Sequence, residues 1–416
     1  MSVDRFKWLY PGIKIKRWVM VCILGIVLVS VGSIDLVASE FLSVRILGGF
    51  SLFLGIIVIF VGLERTVKSF ISLFLPRQEM LEQKILDIIY RKRQLAQGPK
   101  IVVIGGGTGL STLLSGLKEH TSNITAIVTV ADEGGSSGRL REQFGGLAPG
   151  DIRNCLVALA DTEPLMRNLF QFRFDGKAEL DGHSFGNLFI TAMTKITGDF
   201  EQAIKESSKV LAIRGQVVPS TLESVRLVAE FKNGSTVFGE SEIPKQNKPI
   251  KRIYLDHKDC AATPEAITAI KEAQCIMLGP GSLYTSVIPN LLIEDITKTI
   301  LSAQALKIYI CNIMTQSGET DKYRASDHIE AIVAHAKSKV FDYCLLNTAE
   351  IPAEFLLKYQ QEGAHPVITD FEKIEEMGFT VIKENLITIK DYLRHDSQKL
   401  AELILDLIKG KARVNA

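Results

Sequence analysis

The sequence predicts an α/β protein: a Rossmann-like, doubly wound parallel sheet preceded by a hairpin of two transmembrane helices. Two observations support this prediction. Two long, uncharged apolar runs stand close together within the first 65 residues. From Lys100 onward, short runs rich in Val and Ile and bounded by glycine alternate with helical segments, as in parallel sheets with crossover helices.

The two N-terminal apolar runs are Trp18–Ile34 and Ile46–Leu63, each close to the minimum of about 17 residues for a transmembrane helix. Five Lys or Arg residues occur in the first 17 positions and more follow the second run, whereas Asp35–Arg45 between the runs carries one. By the positive-inside rule, both termini and the main domain face the cytoplasm of a bacterial cell and the connection faces outward. The alternative, a cleaved signal peptide, is disfavoured because the second run follows directly and no small-residue cleavage site ends the first.

These features divide the chain into a membrane hairpin at 1–65, a connecting segment at 66–98 and a main domain at 99–416. Within the connecting segment, Met80–Arg93 has apolar residues at helical spacing and a basic end. It is either a linker helix packed on the main domain or a helix lying on the anionic inner leaflet.

In the main domain, buried strands are predicted where apolar runs are short and end in glycine or polar residues. The predicted strands are Lys100–Gly106, Ile124–Ala131, Cys275–Gly279, Lys307–Ile313 and Tyr343–Thr348. The predicted helices are Thr108–Lys118, Asp151–Ala160, Ser184–Thr194, Glu201–Leu211, Pro264–Ala273, a helix after Ser282, and Ser397–Lys409. An Asn-Gly turn between Arg226–Phe231 and Thr236–Glu240 predicts an antiparallel hairpin outside the main sheet.

Composition excludes some classes of function. A net charge of +1 gives no global basic field, which argues against a nucleic-acid partner. The six cysteines are scattered without a C-x-x-C pair, so neither a zinc site nor a disulfide framework is predicted, and a reducing cytosol fits the main domain.

The first candidate site is the glycine-rich turn Gly105–Ser111, between a strand and a helix. Unpaired N–H groups at a helix start and the helix dipole favour an anion such as phosphate. Leu110 breaks the G-x-G-x-x-G spacing and no P-loop lysine follows, so a tight structural turn is the equal alternative.

The second candidate site is Ala131–Arg141, which follows the next strand. Asp132 and Glu133 stand where an acid reaches ribose hydroxyls in a Rossmann-like domain. The glycines and serines after them predict a flexible loop, and Arg139 and Arg141 are predicted to close on a phosphate. The alternative is a disordered tip.

Two further stretches begin helices. Asp151 is predicted at an N-cap, with Arg153 and Asn154 in the first turn. His183 and Asn187, four residues apart, are predicted to share one helix face beside flexible glycines. Structural roles remain open for both stretches.

The last two stretches are Leu278–Asn290 and Cys311–His328, each beginning at a strand end. Tyr284 offers a ring on which a base would stack, and hydroxyl groups around it suit a phosphate or sugar. Since the carboxyl ends of parallel strands share one edge, six polar loops are expected to converge on one crevice. The predicted ligand-binding residues are Gly105, Gly106, Gly107, Thr108, Gly109, Asp132, Glu133, Gly134, Gly135, Ser136, Ser137, Arg139, Asp151, Arg153, Asn154, His183, Asn187, Gly279, Gly281, Ser282, Tyr284, Thr285, Asn312, Thr315 and Glu319.

Taken together, these motifs resemble the CofD/YvcK family, and more closely its YvcK branch, whose members are often called gluconeogenesis factors. The matching segments, in order, are "VIGGGTGLSTLLSGLK", "VTVADEGGSSGRLR", "PGDIRNCLVALA", "HSFGNLF", "LGPGSLYTSVIPNL" and "MTQSGETDKYRASDH". The family usually has two aspartates where this chain has Asp132 and Glu133, and often has Pro where Ser317 stands. The N-terminal hairpin is an addition to the simplest members.

The resemblance implies a CofD-like Rossmann fold that binds a UDP-sugar such as UDP-N-acetylglucosamine and regulates carbon metabolism, cell-wall growth and cell shape. The CofD branch instead transfers a 2-phospholactyl-type group from a guanosine diphosphate donor to a deazaflavin, with Mg²⁺ and release of GMP. Three functions therefore remain: a nucleotide-sugar sensor, a transferase, and a membrane-tethered scaffold for cell-wall synthesis.

The sequence favours the sensor, because no complete set of nucleophile and general base can be assembled from the motifs. The sequence assigns no cofactor with certainty, and Mg²⁺ is the one to consider. The partners to consider are a UDP-sugar, the membrane, a second copy of the chain and proteins of cell-wall synthesis.

Overall fold

The computed structural model describes residues 15–74, 90–175, 180–257, 259–389 and 393–414. The chain divides into two compact units, Met1–Ile89 and Tyr90–Ala416. The predicted connecting helix Met80–Arg93 lies outside the described residues except for its last four, which belong to a helical stretch at 90–96.

The described part of the first unit, residues 15–74, consists of two helices, α1 (Ile15–Ala38) and α2 (Leu42–Phe74). Both are long and apolar enough to cross a membrane by length and composition. They extend beyond the predicted apolar runs, and only residues 39–41 connect them, in place of the longer connection expected at Asp35–Arg45.

Glycines form the contact between these two helices. A Cβ added to Gly32 would lie 2.5 Å from the carbonyl oxygen of Gly48, and one added to Gly25 would lie 3.0 Å from that of Gly55. The pairing shows that the helices run antiparallel. Small residues at a helix interface let two backbones approach closely, which is how apolar helices associate where water gives no hydrophobic drive.

The second unit is built on a seven-stranded, fully parallel sheet. Its strands are β1 (Ile101–Gly105), β2 (Ile124–Val128), β3 (Gln216–Pro219), β7 (Cys275–Leu278), β8 (Leu306–Ile310), β9 (Tyr343–Asn347) and β10 (Thr380–Glu384), in the spatial order β10-β9-β8-β7-β1-β2-β3. The order reverses at β1, which pairs with β2 on one side and β7 on the other. The predicted doubly wound sheet is confirmed, and β3 and β10 are strands that the apolar pattern did not predict.

Helices cover the sheet. They are α3 (Gly107–Leu117), α4 (Gly135–Phe144), α5 (Gly150–Leu159), α6 (Pro164–Gln171), α7 (Phe185–Thr197), α8 (Phe200–Val210), α9 (Pro264–Glu272), α10 (Ile288–Leu291), α11 (Glu294–Ser302), α12 (Ala325–Ala336), α13 (Ala353–Gln361), α14 (Phe371–Glu376) and α15 (Ser397–Val414). Ile101, Val103 and Ile104 on the central strand are fully buried, so the core lies around β1. A strand buried on both faces must be apolar at every position, which explains the unbroken apolar run.

The predicted Asn-Gly hairpin is confirmed as β4 (Leu227–Phe231) and β5 (Thr236–Phe238). A further strand, β6 (Ile250–Leu255), pairs antiparallel with β4 and completes a separate three-stranded sheet. A short 3₁₀ turn at Glu240–Glu242 follows β5. A two-stranded antiparallel ladder of β11 (Ile387–Ile389) and β12 (Leu393–His395) follows β10 and precedes α15 along the chain.

Candidate functional site

The candidate site is a cavity of about 670 Å³ at the carboxyl edge of the parallel sheet. The loops after β1 and β7 line it, and these strands are neighbours at the point where the strand order reverses. Ligands of open α/β sheets bind in this position, because the loops on either side of the reversal turn away from each other and leave a crevice.

Many of the predicted residues line this cavity. They are Gly106, Gly107, Thr108, Gly109, Asp132, Asp151, Gly281, Ser282, Thr285, Asn312, Thr315 and Glu319. Five of the six predicted loops therefore contribute to one crevice. The loop of His183 does not line it.

The glycine-rich turn forms the start of α3. Gly107 has a φ of +67°, which residues with a side chain rarely adopt, and no side chain caps the helix. A Cβ on Gly106 would lie 2.4 Å from Asp151 Oδ2, so that position also requires glycine. The uncapped first turn leaves backbone N–H groups facing the cavity, as phosphate binding requires.

Acidic side chains are concentrated in the cavity wall. Burial, and next the charge of Asp132, raise the pKa of Asp151 to about 7. Burial and the charges of Asp132, Glu319 and Asp151 raise the pKa of Glu240 to about 8, and burial raises that of Glu319 to about 7. These groups share one low-dielectric space, where each negative charge disfavours the next.

Hydrogen bonds join the loops after β7 and β8 across the cavity. Ser282 Oγ donates to Glu319 Oε2, and Thr285 Oγ1 donates to Ser282 Oγ at 2.7 Å. The backbone N–H of Gly281 donates to Asn312 Oδ1 at 3.2 Å. The polar groups of these two loops are thus held in place before any ligand binds.

Some cavity residues escaped sequence analysis. Glu240 comes from the turn after the small sheet, Tyr359 from α13, and Arg394 and His395 from β12. Tyr359 is tied to the β12 strand because its hydroxyl accepts from the N–H of Leu393 at 3.1 Å. His395 is buried, which lowers its pKa to about 4, and its Nε2 has no hydrogen-bond partner among the residues that the structure describes.

The Gly134–Gly138 stretch is not the predicted flexible loop, because α4 begins at Gly135. Ser136 and Ser137 are buried, and a Cβ on Gly138 would lie 2.1 Å from the carbonyl oxygen of Glu133. Glycine occurs here because the helix packs closely on the preceding turn. The N–H of Gly134 donates to Asp132 Oδ1 at 2.8 Å, which fixes that carboxylate beside the helix start.

Ser136 joins the two residues that were predicted to share a helix face. The helix α7 begins at Phe185 with Ser184 as its N-cap, so His183 lies before it. The prediction that His183 and Asn187 share one helix face is therefore wrong. Ser136 Oγ is 3.1 Å from His183 Nδ1 and accepts from Asn187 Nδ2 at 3.2 Å. His183 and Asn187 therefore hold the start of α4 in place through Ser136, and neither residue lines the cavity.

The arginines predicted to close on a phosphate contact protein groups instead. Arg139 donates to the carbonyl oxygen of Asp181, and Arg141 donates to that of Val225 at 2.7 Å. Glu133 does not line the cavity, because its Oε1 lies 2.8 Å from Arg226 Nε. The contacts of Arg141 and Glu133 connect α4 and the turn before it to the segment that leads into the small sheet, and Arg139 connects α4 to the segment before α7.

Asp151 is the second residue of α5, and the N-cap of this helix is Pro149. The prediction that Asp151 is the N-cap is therefore wrong. The predicted Arg153 and Asn154 lie behind the cavity, where Arg153 Nη2 donates to Asn154 Oδ1 at 2.6 Å. Arg153 Nη1 also donates to Ser184 Oγ. They connect α5 to the start of α7.

Tyr284 does not present a face for a base, because only 2% of the residue is exposed. Its hydroxyl lies 2.7 Å from that of Tyr323, and its ring packs edge-on against His335. It belongs to a five-residue π-helical turn, Leu283–Val287, in which every residue is buried.

The remaining predicted residues are Gly105, at the end of β1, and Gly279, after β7; neither lines the cavity. A second cavity of about 540 Å³ lies among the first residues of β1, β2 and β3 and contains none of the predicted residues. Its charged pair, Lys100 and Glu272, is joined at 2.8 Å.

The family described as 2-phospho-L-lactate transferase CofD matches residues 101–387. The chain belongs to the CofD family. Among its relatives, the gluconeogenesis factor of Bacillus subtilis is 51% identical over 316 residues, which cover 76% of this chain and 100% of the relative. A relative from Nostoc sp. is 48% identical over 426 residues, which cover 97% of this chain and 93% of the relative.

Solved structures agree with this membership of the CofD family. A crystal structure of a Bacillus halodurans protein has a TM-score of 0.72 and 49% identity, and it covers 74% of this chain and 99% of its own. A domain without the N-terminal hairpin therefore folds on its own in that relative. The match to the Nostoc relative, in contrast, extends into the hairpin of the CofD-family chain.

Proposed function

We propose that this CofD-family chain is a membrane-anchored sensor of a UDP-sugar, of the UDP-N-acetylglucosamine type, that regulates carbon metabolism, cell-wall growth and cell shape. The observation that carries the proposal is the cavity at the β1–β7 reversal, with an uncapped helix start on one wall and polar side chains on the others. The name of the Bacillus subtilis relative supports a role in gluconeogenesis.

The diphosphate would lie at the first turn of α3, where the N–H groups after Gly107 face the cavity. Arg394 is an exposed cationic side chain on the cavity wall and would pair with a phosphate. Tyr359 would supply the aromatic face for the base, since Tyr284 is buried. The hydroxyl and amide groups of Thr315 and Asn312 suit sugar hydroxyls.

Mg²⁺ fits this arrangement. Among the described residues, no group of three acidic, His or Cys side chains is close enough to form a preformed metal site. Mg²⁺ is usually held by one or two carboxylates together with phosphate oxygens, and Asp132 and Asp151 line the cavity beside the helix start. A bound Mg²⁺ would offset the repulsion between these carboxylates and the diphosphate.

A transferase is the second candidate, because the matching family carries that description and the cavity wall holds several acids. In that case Asp132 and Asp151 would hold Mg²⁺, which neutralises charge on a transferring phosphoryl group. Glu240 and Glu319, whose pKa values are raised to about 8 and about 7, would then be able to release or accept a proton near neutral pH.

Membrane anchorage is part of the proposal. The two apolar helices α1 and α2 have the length to span a bilayer. The basic residues on both flanks of the hairpin favour cytoplasmic termini. A sensor held at the membrane would act near the proteins of cell-wall synthesis, which we propose as its partners.

The deciding experiment is a thermal-shift measurement on a fragment starting at Gly98, with UDP-N-acetylglucosamine, UDP and GDP, each with and without Mg²⁺. At a hundred times its dissociation constant a ligand stabilises the fold by about 2.7 kcal/mol. Stabilisation by the UDP-sugar, with the sugar recovered intact, supports the sensor. Release of GMP from a guanylylated lactyl donor with a deazaflavin acceptor would replace the sensor with the transferase, and no shift with any nucleotide would reject both.

A further inference from the structure

His395 lies in the wall of the candidate cavity, as the last residue of β12. Only 8% of the residue is exposed, so water has little access to its ring. Its Nε2 has no hydrogen-bond partner among the residues that the structure describes. A buried polar atom without a partner costs stability, so its presence in a cavity wall points to a group that binds there.

The backbone is fixed on both sides of His395. On one side, the N–H of Leu393 donates to the hydroxyl of Tyr359 at 3.1 Å. On the other side, the N–H of Asp396 donates to the carbonyl oxygen of Leu386 at 2.6 Å. The strand that carries the ring is therefore in place before any ligand binds, and such preorganisation lowers the cost of binding.

His395 is neutral and presents a lone pair at Nε2. Burial lowers the pKa of the ring to about 4. The backbone of Cys311 acts in the opposite direction and raises the pKa, as a carbonyl oxygen does when a ring N–H faces it. Since Nε2 has no partner, this N–H is that of Nδ1, and in the neutral ring Nε2 then carries no proton. Nε2 can therefore accept a hydrogen bond but cannot donate one.

Neither a phosphate nor Mg²⁺ suits this position. Phosphate oxygens are acceptors, so they do not pair with a bare ring nitrogen, and Mg²⁺ prefers oxygen ligands. Gln316 Oε1, on the loop after β8, is the other buried atom of the cavity wall that lacks a partner among the described residues. An amide oxygen is also an acceptor. Both atoms therefore call for a ligand group that donates.

We propose that His395 is a specificity residue of this cavity, whose Nε2 accepts a hydrogen bond from a hydroxyl or N–H group of the bound nucleotide sugar. The inference rests on the proposed function and adds a residue that reads the ligand beyond its phosphates. The donor belongs either to the uridine or to the second sugar, and both supply the same chemistry. A site with a buried acceptor rejects ligands that lack the matching donor, because the acceptor is then left unpaired.

His328 provides a matched control for His395. It is fully buried, burial lowers its pKa, and its Nε2 also has no partner among the described residues. Its Nδ1 lies 2.9 Å from the carbonyl oxygen of Arg324, and the residue does not line the cavity. An effect that comes only from losing a buried imidazole should therefore occur at both positions.

Isothermal titration calorimetry on the fragment starting at Gly98 tests the proposal, with UDP-N-acetylglucosamine and UDP as ligands. His395→Leu should weaken the binding of the UDP-sugar about tenfold, because the ligand donor loses its acceptor. His395→Gln should keep most of the affinity, since its amide oxygen can accept in place of Nε2. His328→Leu should bind as the wild type does. Urea unfolding should show that each leucine variant remains folded, because each removes an unpaired polar atom.

The two ligands separate the sources of the donor. An equal loss for UDP assigns the donor to the uridine, whereas a loss confined to the UDP-sugar assigns it to the second sugar. Wild-type binding together with unchanged affinity in folded His395→Leu would overturn this inference and leave the proposed function standing. A wild-type fragment that binds neither ligand would reject the proposed function and this inference with it.

Nitrogen NMR of the fragment gives a readout that does not depend on affinity. The histidine resonances that are missing from His395→Leu should show, at pH 7, a neutral ring with its proton on Nδ1. Addition of the UDP-sugar should shift the Nε2 resonance of this ring and leave that of His328 unchanged. A ring that carries its proton on Nε2, or an Nε2 resonance that does not respond to bound ligand, would overturn the inference.

Discussion

The carboxylate of Asp151 lies against Gly106 at the start of α3, so closely that a Cβ on this glycine would lie 2.4 Å from Asp151 Oδ2. The same carboxylate has a pKa raised to about 7 by burial and by Asp132. A diphosphate that enters here meets this charge. In the proposed sensor it would therefore bind with a cation or a proton between the two charges, and the first two predictions test Gly107 and Asp151.

Gly107→Val should abolish nucleotide binding while the domain remains folded. The φ of +67° costs a branched residue roughly 1 to 2 kcal/mol, and the new side chain would occupy the cavity, where Ser286 Oγ at 3.6 Å is the nearest atom. Gly198→Val is the matched control, because Gly198 has a φ of +74° at the end of α7 with no atom within 4 Å. Isothermal titration calorimetry should show binding only in the control. Equal affinity in both variants would move the phosphate site elsewhere.

Asp151→Asn should remove most of the gain in nucleotide affinity that Mg²⁺ gives the wild type. The amide keeps the shape and removes the charge, so without Mg²⁺ the variant should bind at least as tightly as the wild type. With Mg²⁺ the wild type should gain affinity and the variant should gain little, because one metal ligand is lost. Asp259→Asn, an exposed position, serves as the control. A variant whose affinity rises with Mg²⁺ as much as that of the wild type would exclude Asp151 as a ligand.

The sequence predicted the parallel sheet and much of the cavity for one physical reason. Buried parallel strands must be apolar throughout, so β1, β2 and β7 are visible as apolar runs, and the residues that follow them must lie at one edge. Asp132, which follows β2, was identified in this way, whereas Asp151 was identified as the start of a helix. Their positions follow from local sequence.

Glu240 and Arg394 were missed because they do not follow strands of the main sheet. They reach the cavity through the small sheet and the β11–β12 ladder, whose docking depends on tertiary contacts. The glycines after Glu133 led to a different error, since a flexible loop was predicted where a helix begins. Composition alone does not distinguish a flexible loop from a closely packed helix start. Tyr284 was wrongly predicted to contact a ligand. It is buried by contacts with Tyr323 and His335, which lie far along the chain and cannot be predicted from the local sequence.

Tyr284→Phe should weaken the fold and leave nucleotide affinity unchanged. The substitution removes the hydrogen bond to the hydroxyl of Tyr323, which is worth about 0.5 to 1.5 kcal/mol. Tyr323→Phe should cost a similar amount. The double variant should cost less than the sum, because no hydroxyl is left unpaired. Urea unfolding and calorimetric binding together check this, and a large loss of affinity in Tyr284→Phe would return the tyrosine to the ligand site.

Stability should fall as the pH rises from 6.5 to 8 when no Mg²⁺ or nucleotide is present. A carboxyl group whose pKa is higher in the folded chain than in the unfolded chain takes up a proton on folding, so it destabilises the fold as it ionises. The pKa of Glu240 is raised to about 8 and those of Asp151 and Glu319 to about 7, so the loss begins above their usual pKa values near 4 and continues up to about pH 8. Each group contributes at most about 1.4 kcal/mol per pH unit.

Glu240→Gln should reduce this pH dependence and be more stable than the wild type at pH 8. Buried histidines such as His395, whose pKa is lowered to about 4, act in the opposite direction, but only below their usual pKa near 6.5. Glu242→Gln is the control, because Glu242 lies in the same turn and pairs with Lys245 at the surface. Urea midpoints measured at each pH decide the matter, and parallel curves for Glu240→Gln and the wild type would show that Glu240 is not a buried acid.

The full chain should remain in the membrane pellet after alkaline carbonate extraction, whereas the fragment starting at Gly98 should stay in the supernatant. The two helices expose large apolar side chains such as Phe50, Phe53 and Phe60, which are unfavourable in water and favourable in lipid.

The orientation of the hairpin can be determined with single cysteines and a membrane-impermeant maleimide. Glu40→Cys lies in the connection at 39–41 and should be labelled in intact spheroplasts, because the basic flanks hold both ends of the hairpin inside. Gln97→Cys should be labelled only after lysis. The five native cysteines of the main domain are buried, so a variant with neither substitution gives the background. Labelling of Gln97→Cys in intact spheroplasts would reverse the proposed topology, and release of the full chain by carbonate would show that the hairpin does not span the membrane.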